Sequence, residues 1–206
     1  MSIEQRIAAI RSTALGSMSA YHVQPAQNVI KLDAMENPFH WPKALEAKWQ
    51  ESLAGIAMNR YPSAGAESLK EQLRRVFSID SAYPIVLGNG SDELILLLAQ
   101  IVHQPGACIM GVDPSFVMYR QITHSLNLDY IGIALNDDFS IDLPKTLAAI
   151  EQHKPSLIFL AMPNNPTGNL FSDQDVQAII EAAPGLVVLD EAYTAFTQYD
   201  SQKWLV

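Results

Sequence analysis

Several absences narrow the field before any motif is considered. Cysteine occurs once, at Cys108, so no disulfide can form within the chain. Its apolar setting, Ala107-Cys108-Ile109-Met110, reads as a small core residue more readily than as a reactive thiol. Positive charge is scarce: 13 basic residues stand against 22 acidic ones, a formal net charge of -9, which argues against nonspecific binding to nucleic acid or to an anionic membrane. No apolar run approaches the ~20 residues that cross a bilayer. Nothing after Met1-Ser2-Ile3-Glu4-Gln5-Arg6 resembles a secretory leader, so the expected location is the cytoplasm. No Gly-Lys-Ser/Thr occurs, which excludes a Walker nucleotide site, and the dinucleotide spacing Gly-x-Gly-x-x-Gly is missing. There is no Gly-x-Ser-x-Gly elbow. The histidines His22, His40, His103, His124 and His153 show no metal-ligand spacing and read as structural or surface residues.

What is present is a foldable α/β pattern. Hydrophobic residues make up 49% of the 206 residues and charged ones 17%, enough for a core and against disorder. Residues 1–42 read as an arm, a short helix at 4–11 and then a polar, irregular stretch. Helical stripes follow over Pro42 to Asn59 (Leu45, Trp49, Leu53, Ile56, Ala57) and Ala66 to Phe77. From there strands and helices alternate. Strands are expected at Pro84–Leu87, Ala107–Val112, Asp129–Leu135, Ser156–Ala161 and Gly185–Leu189. Helices are expected at Ser91–His103, Ser115–Leu126, Leu143–His153 and Asp173–Ala183, the last with a Ser172…Asp175 N-cap signature. The strands are continuously apolar, the mark of strands buried on both faces. Residues 43–206 therefore predict a three-layer α/β/α domain around a mostly parallel sheet.

Two polar turns carry the chemistry. Asn164-Asn165-Pro166-Thr167-Gly168 follows one strand, and Asp190-Glu191-Ala192-Tyr193 ends the next. In a parallel sheet both fall at the same rim, where open α/β folds bind ligands. An acid at that rim can pair with a protonated pyridine nitrogen and keep it charged, or it can simply cap a neighbouring loop. Asn165 can donate its amide to a phenolate oxygen and Tyr193 its hydroxyl, although a structural turn and a packed aromatic remain open. Gly88-Asn89-Gly90-Ser91-Asp92-Glu93 opens a helix after a strand, which suits a phosphate; a plain turn capped by Asn89 or Ser91 is the alternative. Phe116, in Asp113-Pro114-Ser115-Phe116, is placed to stack on a planar ring or to fill the core. Asn59-Arg60-Tyr61-Pro62 alone is a loop with no assignable role.

In this order and spacing, these motifs resemble those of fold-type I pyridoxal-phosphate aminotransferases. Within them, Glu36-Asn37-Pro38 together with Asn59-Arg60-Tyr61-Pro62 is similar to the histidinol-phosphate aminotransferase branch. The resemblance implies that Gly90, Ser91 and Asp92 hold the phosphate of pyridoxal 5'-phosphate, that Phe116 stacks on its ring, that Asn165 and Tyr193 bind its hydroxyl and that Asp190 pairs with its ring nitrogen. It implies that Tyr61 reaches the phosphate of a partner subunit in a homodimer, and that Tyr21 and Asn37 help recognise a small amino-acid-like phosphate substrate. The implied reaction moves an amino group between histidinol phosphate and 2-oxoglutarate in histidine biosynthesis. Threonine-phosphate decarboxylation, aromatic transamination and a non-catalytic cofactor-binding or dimerising role are the alternatives on the same scaffold.

One departure matters. The resemblance calls for a Schiff-base lysine in a Ser-Lys motif one strand beyond the Asp-Glu-Ala-Tyr segment. None of Lys31, Lys43, Lys48, Lys70, Lys145, Lys154 and Lys203 has that context, and Lys203 follows Asp190 too closely. The substrate-carboxylate arginine, the arginine beside the phosphate, two later strands and the C-terminal small domain are also lacking. The expectation is a truncated, incomplete large domain that is inactive alone, in which the Pro84–Leu87 strand has lost its neighbours.

Overall fold

The computed structural model describes residues 1–11, 16, 37, 39–63 and 65–205. The chain falls into two compact units, Met1–Ser19 with Val86–Val206, and Ala20–Ile85. In the first, α1 (Ile3–Ile10) starts on a capping box between Ser2 and Gln5. The second holds α2 (Lys43–Leu53) and α3 (Glu67–Phe77). The stripe expected to run to Asn59 ends as a helix at Leu53, and neither helix has a buried residue.

The larger unit continues through α4 (Gly90–Ile101), β1 (Cys108–Asp113), α5 (Val117–Ser125), β2 (Asp129–Ala134), α6 (Leu143–His153), β3 (Leu157–Ala161), α7 (Asp173–Ala182) and β4 (Leu186–Asp190). The four strands form one sheet in the order β2-β1-β3-β4, every pair parallel. Ser172 caps α7 as its spacing predicts, its Oγ accepting from the Asp175 amide at 3.1 Å.

The two faces separate by the strand period of two. Met110 and Val112 of β1 and Ile158 and Leu160 of β3 pack with Ile150 of α6 and Val176 and Ile179 of α7. Ile109 of β1 and Leu157, Phe159 and Ala161 of β3 pack with Ile95 and Ala99 of α4 and Tyr119 and Ile122 of α5. Helices thus cover both faces, as a three-layer domain requires. Cys108 sits in this core with its thiol 3.4 Å from the His153 carbonyl, and burial raises its pKa.

Two expectations need correction. Pro84–Leu87 has no ladder and is irregular, because an extended segment is held only where another strand pairs with its backbone groups, and the four-stranded sheet forms without it. Burial on both faces holds for the central strands β1 and β3 but not for the outer ones: β2 has one buried residue, and β4 has none, with Leu186 54% exposed.

At the entry to β4 the backbone passes so close to the start of β3 that a Cβ on Gly185 would lie 2.2 Å from the Ser156 carbonyl oxygen. Gly185→Ala is therefore expected to lower unfolding stability by about 1–3 kcal/mol. Gly55→Ala, where a Cβ meets nothing within 4 Å, should stay within about 0.5 kcal/mol. Urea unfolding of the two variants side by side measures the difference.

Candidate functional site at the sheet switch point

The chain runs from β1 outward to β2, then returns past β1 to β3 and on to β4. The direction of winding reverses between β1 and β3, and ligands of open α/β sheets bind outside the carboxyl ends of the strands at such a reversal. A cleft lies there. Its walls are Ser91 from α4, Phe116 after β1, Ala161 and Asn165 at the end of β3, and Asp190, Ala192 and Tyr193 at the end of β4. Ala161 and Asp190 are partners in the β3–β4 register, and the Met162 amide donates to the Asp190 carbonyl at 2.9 Å, so the two polar turns are fixed side by side.

Five residues singled out in the sequence thus meet in one cleft: Ser91, Phe116, Asn165, Asp190 and Tyr193. Gly90 and Asp92 flank Ser91 in the first turn of α4 but do not line the cleft, and Asp92 is exposed. Asn37 is exposed, its Oδ1 accepting from the Phe39 amide at 3.0 Å. Tyr61 is fully exposed and belongs to the smaller unit. Tyr21 lies outside the described residues.

The α4 end of the cleft suits an anion. Gly90 opens the helix at φ 80°, a left-handed conformation that costs glycine little. Neither Asn89 nor Ser91 caps as the simple-turn reading expects: the Asn89 side chain makes no cap bond, and the Glu93 carboxylate reaches back to the Asn89 amide instead. The amides of Gly90, Ser91 and Asp92 have no acceptor within the helix and stand at its positive end.

The opposite end is acidic and tightly held. Tyr119 of α5 donates its hydroxyl to Asp190 Oδ2 at 2.7 Å, and the Ala192 amide donates to Oδ1 at 3.0 Å. Burial, then the nearby Asp190 charge, push the Tyr119 phenol far above its ordinary range, so it stays a neutral donor. The motif Asp113 to Tyr119 contains this residue, and the Phe116…Tyr119 spacing puts both rings on one helical side, a signal that could have singled it out.

Asn164, not only its neighbour, organises the turn. Wholly buried, it accepts from Ser115 Oγ at 2.9 Å and donates to the Pro114 carbonyl at 3.0 Å and to Thr167 Oγ1 at 2.7 Å. It staples the β1 loop carrying Phe116 to the β3 loop carrying Asn165. Among the described residues no lysine lines the cleft. Lys203 is engaged by Asp173 and lies 4.7 Å from the Tyr199 ring centre. Among the described residues no cluster of His, Cys, Asp and Glu could hold a metal ion, and no helix is long and apolar enough to cross a membrane. Asn164→Asp replaces the donor that faces Pro114 with an acceptor, and is expected to cost about 1–3 kcal/mol in a thermal or urea unfolding measurement.

The comparisons with known proteins agree with this architecture. A family model described as aminotransferase class I and II matches residues 27–205. A histidinol-phosphate aminotransferase of Thiocapsa roseopersicina is 53% identical over 175 residues, covering 84% of this chain and 93% of that sequence. Histidinol-phosphate aminotransferase 2 of Nitrosococcus oceani is 51% identical over 179 residues, 87% of this chain but 50% of its own length. The chain thus spans about half the length of several relatives it matches. The crystal structure of histidinol-phosphate aminotransferase from Sinorhizobium meliloti in complex with pyridoxal-5'-phosphate superposes with a TM-score of 0.64 at 28% identity, over 75% of this chain and 41% of that one. With a parallel sheet wound about a switch-point cleft and a family match over most of its length, this chain belongs to the class I and II aminotransferases.

Proposed function

We propose that the cleft is the ring- and phosphate-binding wall of a pyridoxal 5'-phosphate site, and that the protein serves transamination of histidinol phosphate with 2-oxoglutarate in histidine biosynthesis. The observation that carries the cofactor reading is the donor set gathered at the switch point: a carboxylate, an amide, a phenol, an aromatic face and a helix N-terminus in one cleft. That set fits a planar ring with a basic nitrogen, a phenolic oxygen and a phosphate. Bound there, the cofactor would supply an electron-withdrawing ring that stabilises negative charge at the substrate α-carbon.

The chain's own residues divide the work of holding it. Asp190 keeps the ring nitrogen protonated, since a carboxylate in a partly desolvated cleft favours its cationic partner. Asn165 and Tyr193 donate to the ring oxygen, and Phe116 offers its face to the ring. Gly90, Ser91 and Asp92 receive the phosphate at the start of α4. Tyr61 acts on the phosphate of a second subunit in a homodimer, and Tyr21 and Asn37 contact the substrate from the arm formed by residues 1–42, with residues 43–206 as the cofactor-binding domain. The substrate assignment rests on the relatives named above, whose names are all histidinol-phosphate aminotransferase, and this favours it over decarboxylation or aromatic transamination. The proposed compartment is the cytoplasm, the ordinary setting for a buried free thiol such as Cys108.

Titration of the purified chain with pyridoxal 5'-phosphate, followed by absorbance, tests the reading. Asp190→Ala is expected to weaken binding by roughly 10–100-fold, the size of a lost hydrogen bond to a charged group. Unchanged affinity would remove Asp190 from any cofactor role. Because no lysine lines the cleft among the described residues, the chain by itself should show no turnover of histidinol phosphate and 2-oxoglutarate. Normal turnover would overturn that expectation.

A further inference from the structure

The acid that the cofactor reading depends on does not stand alone. Tyr119 is 0% exposed and does not line the cleft, yet it touches two of the cleft's walls. Its ring lies parallel to Phe159 of β3, with centres 4.6 Å apart and planes 3° from parallel, and its edge meets Phe116 at 5.6 Å and 88°. Its backbone carbonyl accepts from Thr123 Oγ1 at 2.6 Å. With ring and backbone both fixed, the hydroxyl is aimed at Asp190 Oδ2, 2.7 Å away, while Ala192 holds Oδ1.

We propose that Tyr119 is a positioning residue of the cleft: its hydroxyl holds the Asp190 carboxylate in one orientation, ready for the protonated nitrogen of a heteroaromatic ring. This rests on the cofactor reading above. Each carboxylate oxygen can accept more than one hydrogen bond, so occupying Oδ1 and Oδ2 from behind leaves acceptor capacity toward the cleft. A donor to the carboxylate stabilises its charge, so the proton of the pair resides on the ring nitrogen and not on the acid. Tyr119 can play this part at any working pH, because its burial beside a carboxylate keeps the phenol protonated. The edge contact with Phe116 ties the same residue to the proposed stacking face, so acid and platform share one support.

The test uses pyridoxamine 5'-phosphate, which carries the ring nitrogen but no aldehyde and so needs no lysine. Its affinity for the chain is measured by fluorescence, and its ring nitrogen is observed by 15N NMR in the bound state. Tyr119→Phe keeps the ring and removes only the hydroxyl. It is expected to weaken binding about tenfold and to move the ring-nitrogen signal toward the unprotonated position. Phe159→Leu, which disturbs the packing beneath Tyr119 but leaves the hydroxyl, should lower the unfolding midpoint without moving that signal. If Tyr119→Phe matches the unsubstituted chain in affinity and signal while Asp190→Ala loses binding, the positioning role is wrong and the cofactor reading stands. If Asp190→Ala binds normally, or the unsubstituted chain does not bind, the cofactor reading fails and takes the inference with it. If Phe159→Leu moves the signal as far as Tyr119→Phe, the effect belongs to packing and the hydroxyl has no special role.

Discussion

Pairing of β3 between β1 and β4 is the constraint on which the rest of the structure depends. All five residues of β3 are buried, and its register sets Phe159 opposite Gly111 on one side and Ala161 opposite Asp190 on the other. Because the strands are parallel, fixing this register also fixes which loops share a rim. Asn165, Asp190, Tyr193 and Phe116 come from three separate strand ends, and nothing local could bring them together. The burial of an apolar five-residue strand on both faces does so, by a hydrophobic effect worth roughly 1.5–3 kcal/mol for each large side chain removed from water.

Layered on that frame is a polar scaffold that controls direction. Asn164 ties the β3 loop to the β1 loop with two side-chain hydrogen bonds and braces its own loop through Thr167, and Tyr119 and Ala192 fix the Asp190 carboxylate. These are the groups for which burial leaves no tolerance: a wholly buried amide or phenol must find partners, and satisfying them orients whatever they bond. Of the cleft's own residues, Ser91, Phe116, Asn165, Asp190 and Tyr193 are partly exposed and Ala192 is exposed, so they depend on this supporting layer for their aim.

The outer parts of the unit contrast with this centre. Leu186 is exposed at the outer strand β4, and Val86 before α4 and Ile101 at its last position are exposed. In the smaller unit Leu45, Trp49 and Leu53, the apolar stripe of α2, are also exposed, as is Ile56 just beyond it. A helix period in the sequence says that a face is apolar; it does not say that a partner is present to cover it.

The same distinction separates what was legible in the sequence from what was not. The sequence by itself determined the order of strands and helices from 107 onward, the Ser172 cap, the core position of Cys108 and the identity of the rim residues, because each follows from a local pattern of apolar period, turn chemistry or N-cap spacing. It could not decide that Pro84–Leu87 stays irregular, since a strand exists only through its neighbours. Nor could it decide that Asn164 and Tyr119 stand behind Asn165 and Asp190. Their importance comes from contacts spanning 49 and 71 residues of chain, to Ser115 and Asp190 respectively, and only the folded sheet closes those distances.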